Sequence, residues 1–115
     1  MAVRLFTNGA AGLLAEIKKQ IRAGSIETWT VDSEGDFTHT PHDGQWTNRA
    51  WLRPRLLNDR LLFNIVFAQG ETEQQLVYSI YHGRFIEMAI RHVPNLFTVA
   101  AATPVMTKDD KALNE

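Results

Sequence analysis

Residues 49–68 read RAWLRPRLLNDRLLFNIVFA, and the way this stretch pairs with itself decides the fold. Asn58 and Asp59 tolerate the left-handed conformation of a two-residue type I′ connection, and runs of strand character flank them on both sides. Folding the chain back there sets Leu57 against Arg60, Leu56 against Leu61, Pro54 against Phe63, Leu52 against Ile65 and Ala50 against Phe67. Alternate residues of a strand point to opposite sides, so the pairs from Leu56–Leu61 to Ala50–Phe67 make one apolar face. The other face sets Arg55 against Leu62, Arg53 against Asn64, Trp51 against Val66 and Arg49 against Ala68. A slip of one residue would mix the two faces, and a buried face therefore specifies the register. Pro54 cannot donate to a ladder and calls for an edge or a bulge. The expected core residues are Leu52, Leu56, Phe63, Ile65 and Phe67, with Arg49, Arg53 and Arg55 on the far side.

Upstream, Ile26–Asp32 and Asp36–Thr40 alternate with a period of two around Ser33-Glu34-Gly35, where Gly35 suits the positive φ of a three-residue hairpin loop. This register places Val31 opposite Phe37 and Trp29 opposite His39, with Thr28, Thr30, Thr38 and Thr40 as a polar ladder. Nearer the N-terminus, Ala10, Leu13, Leu14, Ile17 and Ile21 share one helical face. Asn8 is placed to cap this helix, Lys19 and Arg22 complement the negative end of its dipole, and Gly24 provides a left-handed stop.

Downstream, residues 71–93 admit two descriptions. Thr72 and Gln75 resemble a capping box heading one helix of about 22 residues, but its apolar side chains would then spread around nearly the whole circumference. Division at Gly83 separates two cleaner patterns. Gln74–His82 has the composition of a strand, and Phe85, Ile86, Ala89, Ile90 and Val93 form a stripe on a short helix from Arg84 to Val93, stopped by Pro94. The divided description is the one adopted. Leu96–Ala102 reads as a last strand, and residues 104–115 as a frayed tail with Lys108, Asp109, Asp110 and Lys111 in solvent. The expected fold is α+β: residues 1–103 form a single domain, a twisted, mainly antiparallel sheet of five to six strands with an N-terminal helix and a shorter C-terminal helix on one face.

Composition narrows the function classes. With 115 residues, 44% hydrophobic and 22% charged, the chain has ordinary globular proportions, which excludes disordered, collagenous and membrane-spanning classes. The net charge of −1 excludes a polyanion binder acting through overall charge. The absence of cysteine removes disulfides, thiolate metal sites and a cysteine nucleophile, and makes the cytoplasm the default compartment. The apolar start, Met1–Phe6, is broken by Thr7-Asn8-Gly9 before it reaches the length of a signal-peptide apolar region.

Three clusters bear on function. The strongest is Arg49, Trp51, Arg53 and Arg55, residues of one parity on one strand. Between Arg49 and Arg60 the chain holds four of its 12 basic residues against a single acid, Asp59. Guanidinium forks fit phosphate or carboxylate, and an indole among them stacks on a base or accepts a cation. This face is expected to bind an anionic partner, single-stranded nucleic acid or an acidic protein surface; the alternative is an ordinary solvated face paired to acids such as Glu27. The second cluster, His39-Thr40-Pro41-His42-Asp43, has His-x-x-His spacing but neither a third ligand nor a helix to make a metal site specific, so no metal is assigned. The third, Tyr81, His82, Arg84, Glu87 and Arg91, lies at the expected strand-to-helix junction and could hold an anion at a helix start. Two function classes follow. The preferred one is a small binding module that uses the arginine face and needs no cofactor or membrane, with self-association through an exposed sheet edge. The alternative is a metal-independent hydrolase or nuclease with His39, His42 or His82 as acid/base and Arg84 on a phosphate.

Overall fold

The computed structural model describes residues 3–112. Six strands form one sheet in the order β2-β3-β4-β5-β1-β6, every neighbouring pair antiparallel. They are β1 (Val3–Phe6), β2 (Trp29–Val31), β3 (Phe37–His39), β4 (Ala50–Leu56), β5 (Arg60–Phe67) and β6 (Val99–Ala102). Helices α1 (Ala10–Arg22) and α2 (Gln74–His92) share a single core with the sheet, and a short β7 (Lys111–Ala112) pairs in parallel with β5. The α+β class with a mainly antiparallel sheet is as the sequence predicts.

The central hairpin has the expected register at all seven pairs from Ala50↔Phe67 to Leu56↔Leu61. Leu52, Phe63, Ile65 and Phe67 are fully buried, whereas Leu56, the last residue of β4, is half-exposed. The turn chemistry differs from expectation: neither Asn58 nor Asp59 has a positive φ, so the connection is not type I′. The apolar pairing, and not the turn, sets this register. Pro54 is accommodated because β3 meets β4 only at Phe37↔Leu52, which leaves β4 without a strand partner on that side further along. In the first hairpin Val31 faces Phe37, Trp29 faces His39 and Gly35 has φ +87°, all as expected. The threonine ladder is not continuous, because Thr38 is buried and its hydroxyl donates to the Ala50 carbonyl at 2.8 Å.

Helix α1 buries Ala10, Leu13 and Ile17, with Leu14 and Ile21 half-buried beside them. Its cap residue is Gly9 without a side-chain hydrogen bond, so Asn8 does not cap it; Gly24 does take the left-handed conformation, at φ +82°. Strand β1, which had no place in the sequence expectation, lies between β5 and β6 with Val3 and Leu5 inward.

The largest correction concerns residues 74–93. Gln74–His82 is not a strand and Gly83 is not a junction: one 19-residue helix, longer than α1, runs through both. Its inward residues, Val77, Tyr78, Tyr81, His82, Phe85, Met88 and Ala89, follow helical spacing. Leu76 and Ile90 are exposed and Ile80 and Ile86 only partly buried, and these four smear the apolar pattern. Gly83 points away from the core, with nothing within 4 Å of the position a Cβ would take. A glycine there costs the helix about 1 kcal/mol relative to alanine, less than the packing of the residues around it returns.

Helix α2 is tied to the sheet by one hydroxyl. Tyr81 is fully buried; its hydroxyl donates a short hydrogen bond to the Trp46 carbonyl and accepts from the Arg49 N–H at 3.3 Å, with Thr38 Oγ1 at 3.2 Å. Edge-on contacts with Trp29, at 5.6 Å between ring centres, and of Phe85 with Trp29 and Phe37 complete the joint.

The C-terminal segment is packed rather than frayed as far as it is described. Asp110, expected in solvent, is buried: its carboxylate accepts the Ile65 N–H at 2.8 Å and the Thr107 N–H at 2.7 Å, and β7 follows at once on β5. Residues 113–115 of the expected tail lie outside the described residues.

Tyr81→Phe keeps the ring and strands the Trp46 carbonyl and the Arg49 N–H, so it should destabilise the fold by about 1–3 kcal/mol. Urea denaturation should show a lower midpoint with an unchanged slope. A midpoint equal to that of the parent would show that the hydroxyl contributes nothing.

Candidate functional site

Trp51, Arg53 and Arg55 lie on the sheet face turned away from both helices, opposite Val66, Asn64 and Leu62. Alternation along β4 explains the arrangement: Ala50 and Leu52 face the core, which turns their neighbours outward. Trp51 is half-buried, and the Arg53 and Arg55 side chains are 50% and 61% exposed. Trp51, Arg53 and Val66 line a shallow depression with Asp32, Glu34 and Asp36 at its rim.

The positive charge that clusters in sequence is not free in space. Arg53 forms a two-pronged pair with Asp36, Nη2 to Oδ2 at 2.9 Å and Nε to Oδ1 at 3.2 Å, and the Asp36 side chain is 6% exposed. These hydrogen bonds hold the Arg53 pKa above its ordinary value. Arg55 has a looser partner, Asp109, at 4.0 Å, and Arg60 pairs with its neighbour Asp59 at 2.8 Å.

Arg49 belongs to a different assembly. It precedes β4, and its guanidinium grips Glu71 through Nε and Nη2, both at 2.8 Å, while Nη2 also reaches Glu73 at 3.4 Å. The plane sits 5.3 Å from the centre of the Trp46 ring. Glu71, with a nearly buried side chain, is held below the usual carboxylate range first by the Arg49 hydrogen bonds. Arg49 thus clamps the start of β4 to the segment that leads into α2. The partners of these arginines are Asp36, Glu71, Glu73 and Asp109, and Glu27 instead faces His42 at 3.6 Å.

The histidines do not converge. His39 is buried on the inner face against Trp29, with ring centres 4.7 Å apart. Its Nδ1 lies 2.8 Å from the Thr28 carbonyl and so carries the proton, which leaves the Nε2 lone pair to Arg84 Nη1 at 3.4 Å. Burial lowers the His39 pKa, and the Arg84 charge lowers it further against the Thr28 hydrogen bond. His42 is exposed in the following turn. His82 is buried at another place, stacked on Tyr78 at 3.7 Å with Nδ1 2.5 Å from the Tyr78 carbonyl. The structure joins His39 to Arg84, but no two of His39, His42 and His82 share a contact, so a histidine acid/base pair is not assembled. Arg84 lies in the middle of α2, where the backbone amides are occupied within the helix; the anion site expected at a helix start there does not exist. Among the described residues no group of three or more His, Cys, Asp and Glu side chains is arranged to hold a metal ion.

Sequence reasoning missed the partners Asp36, Glu71 and Asp109 and the Tyr81 hydroxyl, because each meets its target only through the tertiary fold. A local signal did exist for Asp36, an acid in the first hairpin one residue before the inward Phe37. Comparison with protein families, curated proteins and solved structures found no match for this chain.

Burial pushes the His82 pKa down to about 4, from 6.5 in an unfolded chain, so the folded state holds this ring neutral. Between these values the unfolded state binds more protons, and stability should fall as pH drops from 6.5 toward 4, at up to about 1.4 kcal/mol per pH unit from this group. His82→Phe, which keeps the stacking on Tyr78, should flatten the decline of the melting temperature over that window. Parallel curves for parent and variant would exclude His82 as its source.

Proposed function

We propose that the protein is a small binding module whose outer sheet face, through Trp51, Arg53 and Arg55, engages an acidic protein surface. The observation that carries this reading is the pairing on that face. Arg53 and Arg55 are both met by carboxylates of the chain itself, Asp36 and Asp109, and both remain about half-exposed beside a half-buried indole. Tryptophan and arginine are the side chains most enriched where binding energy concentrates at protein interfaces. A polyphosphate backbone gains its affinity by neutralising several free cations at once, and arginines already matched by acids offer little of that. Carboxylate exchange at Arg55 costs less, because its own partner sits at the outer limit of ion pairing.

The absence of cysteine supports a reducing, cytoplasmic setting for this module, and no helix of the described residues is long and apolar enough to cross a membrane. Strand β6, an edge of valine and alanine without charge, supports edge-to-edge pairing of two copies.

Trp29 and Trp46 are buried, so a ligand-induced change in indole emission reports on Trp51. A glutamate-rich peptide with an amidated C-terminus should shift that emission; Arg55→Ala, followed by the same signal, and Trp51→Ala, followed by the anisotropy of a fluorescein-labelled peptide, should each weaken binding by about 1–3 kcal/mol while circular dichroism stays unchanged. An oligo-dT that binds more tightly than the peptide, with steep salt dependence, would overturn the proposal in favour of single-stranded nucleic acid.

A further inference from the structure

Residues 103–109 do more than close the fold. Running from the end of β6 to Asp110, they place Thr103, Thr107, Lys108 and Asp109 along one side of a groove whose other side is the β4–β5 hairpin. The groove has a volume of about 530 Å³, within the range of about 300–1,000 Å³ common to ligand sites. Its floor is apolar, made by Leu57 and by Leu62, which is buried although it faces away from the core. Three cations, Arg55, Arg60 and Lys108, stand around it with one acid, Asp109.

We infer that this groove binds the free C-terminal carboxylate of a peptide whose last side chain is apolar. Charge complementarity points to the carboxylate. Asp109 rests 4.0 Å from Arg55 Nη1 with both side chains open to solvent, so a carboxylate of the chain already occupies the position loosely. An exposed pair at that distance contributes little, and an incoming carboxylate that makes both prongs of the guanidinium fork displaces it at little cost. Lys108 is exposed and stands on the opposite wall from Arg55, so the two cations bracket the mouth.

The apolar lining selects the last side chain: Leu57, half-buried in the groove that Arg55, Arg60 and Lys108 also line, offers a surface for a leucine-sized group. An isolated fatty acid is a poorer fit, since small ligands have about 70–90% of their surface covered and this groove is open along the side of Arg55 and Asp109. A peptide end needs only its terminal residue covered. The groove shares Arg55 with the proposed acidic-surface site, but Trp51 and Arg53 lie outside it and the inference does not rest on that reading.

The test uses the full chain and a fluorescein-labelled pentapeptide ending in Gly-Leu with a free carboxylate, its C-terminal amide as control, and octanoate as competitor, read by fluorescence anisotropy. The free acid should bind about tenfold or more tightly than the amide, since a charge-assisted bidentate pair is lost with the amide. Lys108→Ala, a change at an exposed side chain that leaves the core intact, should weaken binding, as should Arg55→Ala. Asp109→Asn should tighten it, because the resident carboxylate is removed; a purely structural Arg55–Asp109 bridge would give no gain. Trp51→Ala should leave peptide binding unchanged, which separates this groove from the acidic-surface site. Equal binding of acid and amide, no gain from Asp109→Asn, or octanoate binding without peptide binding would each overturn the inference.

Discussion

The hydroxyl of Tyr81 joins α2 to the connection between β3 and β4 and to Thr38 of β3. It closes on the Trp46 carbonyl and the Arg49 N–H, where the long connection between β3 and β4 would otherwise leave backbone polar groups buried without partners. A buried amide or carbonyl without a partner costs about 1–3 kcal/mol, so the connection can pack beneath α2 only if the helix supplies a polar atom at that point. Once Tyr81 is fixed, helical spacing directs Val77, Tyr78 and Phe85 to the core as well. The Phe37–Phe63–Phe85 contacts, with ring centres 4.5 to 5.8 Å apart, carry the same constraint through to β5. The Arg49–Glu71 clamp sits beside this joint and fixes the approach of the chain to α2.

The hairpin at residues 50–67 was legible because its information is local: two apolar faces of opposite parity within a few residues of one turn permit a single register. The helix α2 was not, and the reason lies in its own side chains. Leu76, Ile80, Ile86 and Ile90 add apolar character outside the buried stripe, so the helical period blurs while Val77, Tyr78 and Tyr81 raise strand propensity. Tertiary packing of the aromatic residues outweighs both signals. Strand β1 escaped notice for another reason: four residues, of which only Val3 and Leu5 are buried on the core side, are too few for periodicity to register, and what makes them a strand is the pair of neighbours on either side.

The candidate site shows the same division. The positions of Trp51, Arg53 and Arg55 on one outer face follow from strand alternation, and the sequence placed them correctly. Their electrostatics do not follow from sequence, since the compensating acids, Asp36 and Asp109, arrive from the first hairpin and from the C-terminal segment. A local excess of positive charge becomes a face of paired guanidinium groups. A face so nearly balanced in charge projects little potential at long range.

Burial of Leu62 and Asn64 on the outer face of β5 is the remaining structural demand. Antiparallel sheets commonly leave one face to water, and an alternating strand would place polar residues there. In β5 all seven residues from Leu61 to Phe67 are buried, so the outer side also needs cover, and the helices are on the wrong face to give it. The C-terminal segment contributes to that cover through Thr103 and residues 107–109, which line a groove together with Leu62, and it is anchored by the Asp110 carboxylate on the Ile65 N–H and by the Tyr78 hydroxyl at 2.6 Å from Thr103 Oγ1. Both anchors are buried or partly buried polar contacts that tie the segment to β5 on one side and to α2 on the other. The groove lined by Leu57 and Leu62 lies beside this segment, toward the hairpin end of β5. The run Leu61–Phe67, apolar on both parities apart from Asn64, therefore demands cover on both faces of the sheet, and the docked C-terminal segment contributes to it on the outer one.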